Sequence, residues 1–338
     1  MKLITIYLPL FIVSMFCNRY FKFLKIYFFI PYNFNDSKFT LIKRVNIIIL
    51  PTTVVNKIRL VELETNIFYS YKNTLIIINS DEVIKISHSR GKDLNIRNYQ
   101  SLMRIQEFKC SNLFPKPLDN IVTSDFAISS ETFLDGDLTT NTTYKNMFLS
   151  DVSNIIATLC RLYNETSMEV RINQEAIRQS KQFLRNVPID YKESYSNLSI
   201  PIDKANSNIN QNIQICLIHG DLTFDNITKK DSEYYFYYVD RMCHSFPEFD
   251  LINLMLYKKG TTYSDLLSTF KTKSFKAKLR INLDILYNYC PSFRNNAQHI
   301  EIIEKLWINR FVSYYLSDTS FDIRRENEII NISEVLKK

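Results

Sequence analysis

Asp221, Asn226 and Asp240 bring two carboxylates and an amide into one stretch, Ile215 to Asp250, which reads ICLIHGDLTFDNITKKDSEYYFYYVDRMCHSFPEFD. Their oxygens are hard donors. Mg²⁺ prefers such donors and usually takes one or two protein carboxylates, keeping phosphate and water as its other ligands. A carboxylate beside the reacting group can also take the proton of a hydroxyl. The set therefore divides into a base, Asp221, and two metal ligands, Asn226 and Asp240. Each residue alone is an ordinary turn former; it is the three together, between two strands, that point to chemistry.

Two strands must position them. Ile215-Cys216-Leu217-Ile218 is a short apolar run that reads as a buried strand. Tyr234 to Val239 is aromatic and ends in a β-branched residue, so it reads as a second strand, with Asp240 where it stops. Lys229 to Glu233 is the turn between them. Asp250 reads as the start of a helix over Leu251 to Tyr257, where its carboxylate would accept backbone N–H groups.

The pattern H-x-D-x-x-x-x-N at His219, Asp221 and Asn226, followed after a hairpin by Asp240, resembles the catalytic core of the kinase-like phosphotransferases. His219-Gly220-Asp221 and Phe249-Asp250 are most similar to the aminoglycoside phosphotransferase and choline kinase branch. Protein kinases usually carry Arg where Gly220 stands, and Phe-Gly where this chain has Arg241-Met242. The resemblance implies an α+β, bilobal protein-kinase-like fold, with a small antiparallel-sheet N-lobe carrying one helix and a mostly helical C-lobe. It implies transfer of the ATP γ-phosphate, with Mg²⁺, to a hydroxyl of a sugar, amino alcohol or glycan precursor, held in line with the phosphate. His219 and Asp250 are implied as structural support for the catalytic loop.

The nucleotide lobe is read from Val45 onward. Short β-type runs at Val45–Leu50, Asn66–Tyr71, Thr74–Ile78 and Val83–Ser87 alternate with polar turns. Within Glu82-Val83-Ile84-Lys85-Ile86, Lys85 matches the residue that pairs with the α- and β-phosphates. The hinge strand is placed at Phe126–Phe133, where backbone groups of Glu131 and Phe133 would meet the adenine edge. Two features depart from the family. There are 4 glycines, at 91, 136, 220 and 260, and none lies in the first hairpin, where Thr65 and Asn66 are the candidate phosphate contacts. The acid that would pair with Lys85 falls near Asn98 in a helix over Leu94–Gln106, so either Lys85 is held less firmly or Glu107 or another acid serves. On these departures rests a second reading, a catalytically weak kinase-fold protein that binds nucleotide or a partner without turnover.

A chain of 338 residues suffices for two lobes with separate cores. The expected division is a hydrophobic extension over 1–40, a nucleotide-binding lobe over 41–134 and a catalytic, substrate-binding lobe over 135–338. The net charge of +7 suits an anionic nucleotide, disfavours a strongly cationic substrate, and comes without the dense basic stripe of a nucleic-acid binder. The 6 cysteines show no metal or disulfide spacing and read as reduced thiols of a cytoplasmic protein. Residues 1–31 are apolar and aromatic, with Arg19, Lys22 and Lys25 interspersed; this reads as a membrane-surface anchor or as an extension upstream of the true start. In the expected C-lobe, Phe148, Val152, Ile155, Leu159 and Leu162 form a helical stripe, and Ser167 to Asn186 reads as a second, polar helix. Tyr191 to Asn212 reads as mostly loop. Another stripe, Ile303, Trp307, Phe311 and Tyr314-Tyr315, reads first as core. The resemblance implies that helices here shape the acceptor pocket, for which Asp265, Glu301 and Glu304 are candidate contacts; solvated helix faces explain the three equally well.

Overall fold

The computed structural model describes residues 26–29, 46–49, 67–71, 74–78, 81–88, 90–124, 126–134, 137–138, 149–202, 211–256, 261–317 and 325–337. The chain divides into two compact units, one of Met1–Met103 with Pro115–Leu134 and one of Arg104–Phe114 with Asp135–Lys338. Together they make an α+β fold, with antiparallel sheet concentrated in the first unit and helix in the second.

In the first unit, Ile26–Phe29 (β1) pairs with Asn46–Ile49 (β2). A five-stranded antiparallel sheet follows, built from Ile67–Tyr71 (β3), Thr74–Ile78 (β4), Glu82–His88 (β5), Pro117–Val122 (β6) and Phe126–Thr132 (β7), in the order β3-β4-β5-β7-β6. Side chains alternate across a strand. Ile84 and Ile86 therefore share one face of β5 and Lys85 and Ser87 the other, and all four are buried. A helix, Arg90–Ile105 (α1), turns Asn95, Asn98 and Leu102 inward at spacings of three and four.

The second unit holds two small sheets. Met168–Arg171 (β9), Asn212–Ile218 (β10) and Cys243–Ser245 (β13) form the order β13-β10-β9, while Asp137–Leu138 (β8), Ile227–Lys230 (β11) and Glu233–Phe236 (β12) form β12-β11-β8. Around them lie Leu149–Thr166 (α2), Ile172–Asn186 (α3), Lys192–Leu198 (α4), Pro247–Leu256 (α5), Tyr263–Lys271 (α6), Lys273–Tyr289 (α7), Ile300–Ser317 (α8) and Arg325–Lys337 (α9). Trp307, Tyr163, Phe246, Phe249, Phe270 and Phe293 are among its fully buried side chains. Cys110, Cys160, Cys216 and Cys290 are buried free thiols, and burial pushes Cys110 up to about 11, which keeps it protonated and unreactive.

Several sequence expectations change. Residues 168–171 are strand rather than helix, because the alternation Met-Glu-Val-Arg pairs with β10. Lys192–Leu198 is helix rather than loop. The strand expected to run to Val239 stops at Phe236, since Tyr238 takes a left-handed φ of 59° and turns the chain. The helix expected from Leu251 starts at Pro247, so Asp250 lies inside its first turn and is not its cap. The expected anchor over residues 1–31 lies outside the described residues except for β1. Among the described residues, no helix is long and apolar enough to cross a membrane.

Candidate active site

The catalytic loop begins where β10 ends, because Ile215 to Ile218 are too apolar to leave the core and the next residue must turn. Gly220 makes that turn with φ +83°. A Cβ there would stand 2.1 Å from the carbonyl oxygen of Arg241, so no other residue fits. Asp250 fixes the loop from beneath. Its Oδ2 accepts from the backbone N–H of His219 at 2.7 Å and from the Tyr163 hydroxyl at 2.9 Å, and its Oδ1 from the N–H of Gly220 at 2.8 Å. Burial raises the Asp250 carboxyl, and these donors oppose the rise. The His219 ring spans the loop. Its Nδ1 accepts from the N–H of Asp221 at 3.3 Å, so Nε2 carries the proton and donates to the Tyr237 carbonyl at 3.0 Å.

Asp221 is thereby presented outward, its side chain 38% exposed. The Asn226 amide nitrogen donates to the Asp221 carbonyl at 2.8 Å, and the Asn226 carbonyl accepts from the N–H of Tyr237 at 3.1 Å. With its nitrogen so used, Asn226 has Oδ1 to offer a cation. Arg241 lies next in the chain to Asp240, and its Nη1 is 3.6 Å from Asp221 Oδ2. Burial disfavours the charge on Arg241, but Asp221 and Asp240 both favour it, and the guanidinium is held above its ordinary value. Asp221 and Asp240 thus act on one cation. Among the described residues, no group of three His, Cys, Asp or Glu side chains is placed to hold a metal. A set of Asp240 with the Asn226 amide fits Mg²⁺, which asks for few protein ligands and only oxygen.

In the first unit, Lys85 is 5% exposed and Glu131 4%. Lys85 Nζ meets Glu131 Oε1 at 2.7 Å, and Asn98 Nδ2 donates to Glu131 Oε2 at 2.9 Å. The register explains the contact. Lys85 faces Ser129 across the β5–β7 ladder, so Glu131, two residues on, is its diagonal neighbour on the same face. The carboxylate that pairs with Lys85 comes from the sheet; Asn98, where the family's acid would fall, holds that carboxylate in place, and Glu107 is exposed. Phe133 gives its N–H to the Asp81 carbonyl at 2.9 Å. Thr65 and Asn66 lie outside the described residues.

Two residues that the sequence reading did not single out, Arg310 and Tyr163, join these groups, as does Tyr314, which it placed in an apolar helical stripe. Arg310 on α8 is 3% exposed and donates through Nη2 to the carbonyls of Gly220 at 3.1 Å and Arg241 at 3.4 Å, tying the two halves of the catalytic hairpin together. It sits three residues after Trp307 and four before Tyr314, so a charge in the apolar phase of that helix was its signal. Tyr314 lies under both guanidiniums, at 4.4 Å from Arg241 and 4.9 Å from Arg310. Tyr163, from α2, had no signal, since its partner Asp250 lies far along the chain.

No protein-family model matches the chain, and no curated protein sequence matches it. Solved structures do. An amicoumacin kinase in complex with AMP-PNP and Ca²⁺ aligns with a TM-score of 0.52 and 13% identity, over 85% of this chain and 92% of that one. An aminoglycoside 2'-phosphotransferase-IIIa variant in its GDP complex aligns with a TM-score of 0.52 and 14% identity, over 85% and 94%. The wild-type GDP complex of the same enzyme gives 0.51 and 14%. The chain has the bilobal, protein-kinase-like α+β fold of the aminoglycoside phosphotransferases.

Proposed function

We propose that this chain is a small-molecule kinase that transfers the γ-phosphate of ATP to a hydroxyl of a sugar, an amino alcohol or a glycan precursor. The observation that carries the reading is the catalytic loop. Asp221 is turned outward from a backbone pinned by Asp250, His219 and Arg310, and is coupled through its carbonyl to Asn226. A carboxylate so held needs no rearrangement to meet a hydroxyl, which is where positioning contributes most to phosphoryl transfer.

In this reading Asp221 accepts the acceptor's proton. Asn226 and Asp240 hold Mg²⁺, whose charge would offset that on the phosphate oxygens. Lys85, fixed by Glu131 and Asn98, contacts the α- and β-phosphates. The Phe133 carbonyl meets the adenine, and Thr65 and Asn66 the phosphates, while the Glu131 backbone is in register with Val83 inside the sheet. His219 and Asp250 act only through the loop they brace. The test is ATP-dependent phosphorylation across a panel of sugars, amino alcohols and aminoglycosides. Asp221→Asn should lower turnover by about 10²–10⁴-fold with unchanged thermal unfolding, and full activity in that variant would remove Asp221 as the base.

One observation favours the alternative, a catalytically weak member of the fold. Arg241 already stands beside Asp221 and offsets its charge. Under that reading nucleotide binds with no transfer to any acceptor, and Asp221→Asn leaves the affinity unchanged.

A further inference from the structure

We propose that the acceptor carries an anionic group, a carboxylate or a phosphate, next to its reacting hydroxyl, and that Arg241 selects it. The inference rests on the kinase reading above. Arg241 Nη1 stands 3.6 Å from Asp221 Oδ2, which is an ion pair without a hydrogen bond. Among the described residues its guanidinium donates no hydrogen bond, and its Cζ lies 4.4 Å from the centroid of the Tyr314 ring. The side chain is 22% exposed. A planar fork of donors beside an aromatic ring, part-exposed and donating no hydrogen bond of its own, can take a carboxylate or phosphate through two N–H groups at once. An anion bound there lies beside the carboxylate that would take the hydroxyl's proton.

The surrounding charge points the same way. Arg310 places a second guanidinium on the Tyr314 ring, at 4.9 Å. A polycationic acceptor would need wall carboxylates free to receive ammonium groups, and three on the neighbouring helices, Asp265, Glu304 and Glu328, are engaged. Asp265 accepts from the Thr262 hydroxyl at 2.7 Å while its N–H donates back at 3.1 Å, so both groups cap α6. Glu304 is ion-paired with Lys276, and Glu328 accepts the N–H of Ser264 at 2.7 Å. The net charge of +7 also repels polycations at long range.

The experiment compares acceptors that share a scaffold and differ in charge. Glucose, glucosamine, gluconate and glucose 6-phosphate form one set; glycerol, ethanolamine, glycerate and glycerol 3-phosphate form the other. ATP-dependent phosphorylation is measured with the full chain and with Arg241→Gln and Arg241→Lys. An anionic member should exceed its neutral counterpart in kcat/KM by about tenfold, the size of one charge-assisted contact. Arg241→Gln should erase that advantage through KM, and Arg241→Lys, which keeps the charge without the fork, should restore part of it. The carboxylate and phosphate arms identify which anion is taken. Turnover that favours the ammonium member, ignores charge, or keeps its anionic preference in Arg241→Gln overturns the proposal and leaves the kinase reading standing. Phosphorylation of no acceptor at all overturns both.

Discussion

Two ion pairs of the same chemical kind mark the two candidate centres, and they are built in opposite ways. Lys85–Glu131 is 2.7 Å long, with both side chains 6% exposed. Arg241–Asp221 is 3.6 Å long, with side chains 22% and 38% exposed. Desolvating two charges costs several kcal/mol per ion, and only close contact plus further hydrogen bonds offset it; Asn98 supplies one such bond to Glu131. The wet pair is worth about 0–1 kcal/mol and exchanges partners at little cost. Under the proposed function, the lysine that must stay in place throughout turnover is sealed, whereas the base that must meet a new molecule each cycle is left part-exposed.

The largest expected effect lies on the sealed pair. Glu131→Ala strands a buried ammonium and should cost about 3–5 kcal/mol in urea unfolding. Adding Asn98→Glu to that background returns a carboxylate to the helix and should recover much of the loss. A Glu131→Ala protein as stable as its parent would place both pairs in the same class.

Glu248 is an intermediate case, a buried carboxylate whose side-chain donors, Asn296 and Tyr287, are neutral. Burial pushes it up to about 7 from an ordinary 4.5, against the pull of its hydrogen bonds. Its folded state therefore binds more protons than the unfolded chain between those values. Its contribution to stability is fullest below pH 4.5, falls as the pH rises through 7, and is flat above. Glu248→Gln should remove that slope, worth at most about 3 kcal/mol, in unfolding measured across the window. A slope that persists in the variant assigns it to another group.

The smallest effect belongs to the open pair. Arg241→Ala should change stability by less than about 1 kcal/mol. A loss as large as that of Glu131→Ala would show that the 3.6 Å contact holds the fold together.

How far the sequence could be read follows the same division. The catalytic hairpin was legible because its signal is local: an apolar run, a turn, and polar residues at fixed offsets before a second run. Lys85 was legible by its place in a strand. The role of the Glu131 side chain was not, since it depends on the register of β5 against β7, which no local pattern encodes. From its local pattern Asp250 read as a helix cap, because Asp before an apolar run is a common cap, and only the family resemblance implied that it supports the loop. Its carboxylate instead reaches the loop after β10, a contact made only once the strand and the helix have packed. Arg310 was hidden by its company, one charge in a stripe that otherwise reads as core.

Glu131 reaches Lys85 from an adjacent strand, and this bears on control. In protein kinases the partner acid rides on a mobile helix, and displacing that helix silences the enzyme. Here the helix contributes a neutral amide, and the opposing charge is joined to the lysine's own strand by the backbone ladder. Withdrawing the helix would leave both ions face to face. Under the proposed function, the lysine and its carboxylate are thus in place as soon as β5 and β7 zip together, with no helix movement needed to bring them into contact.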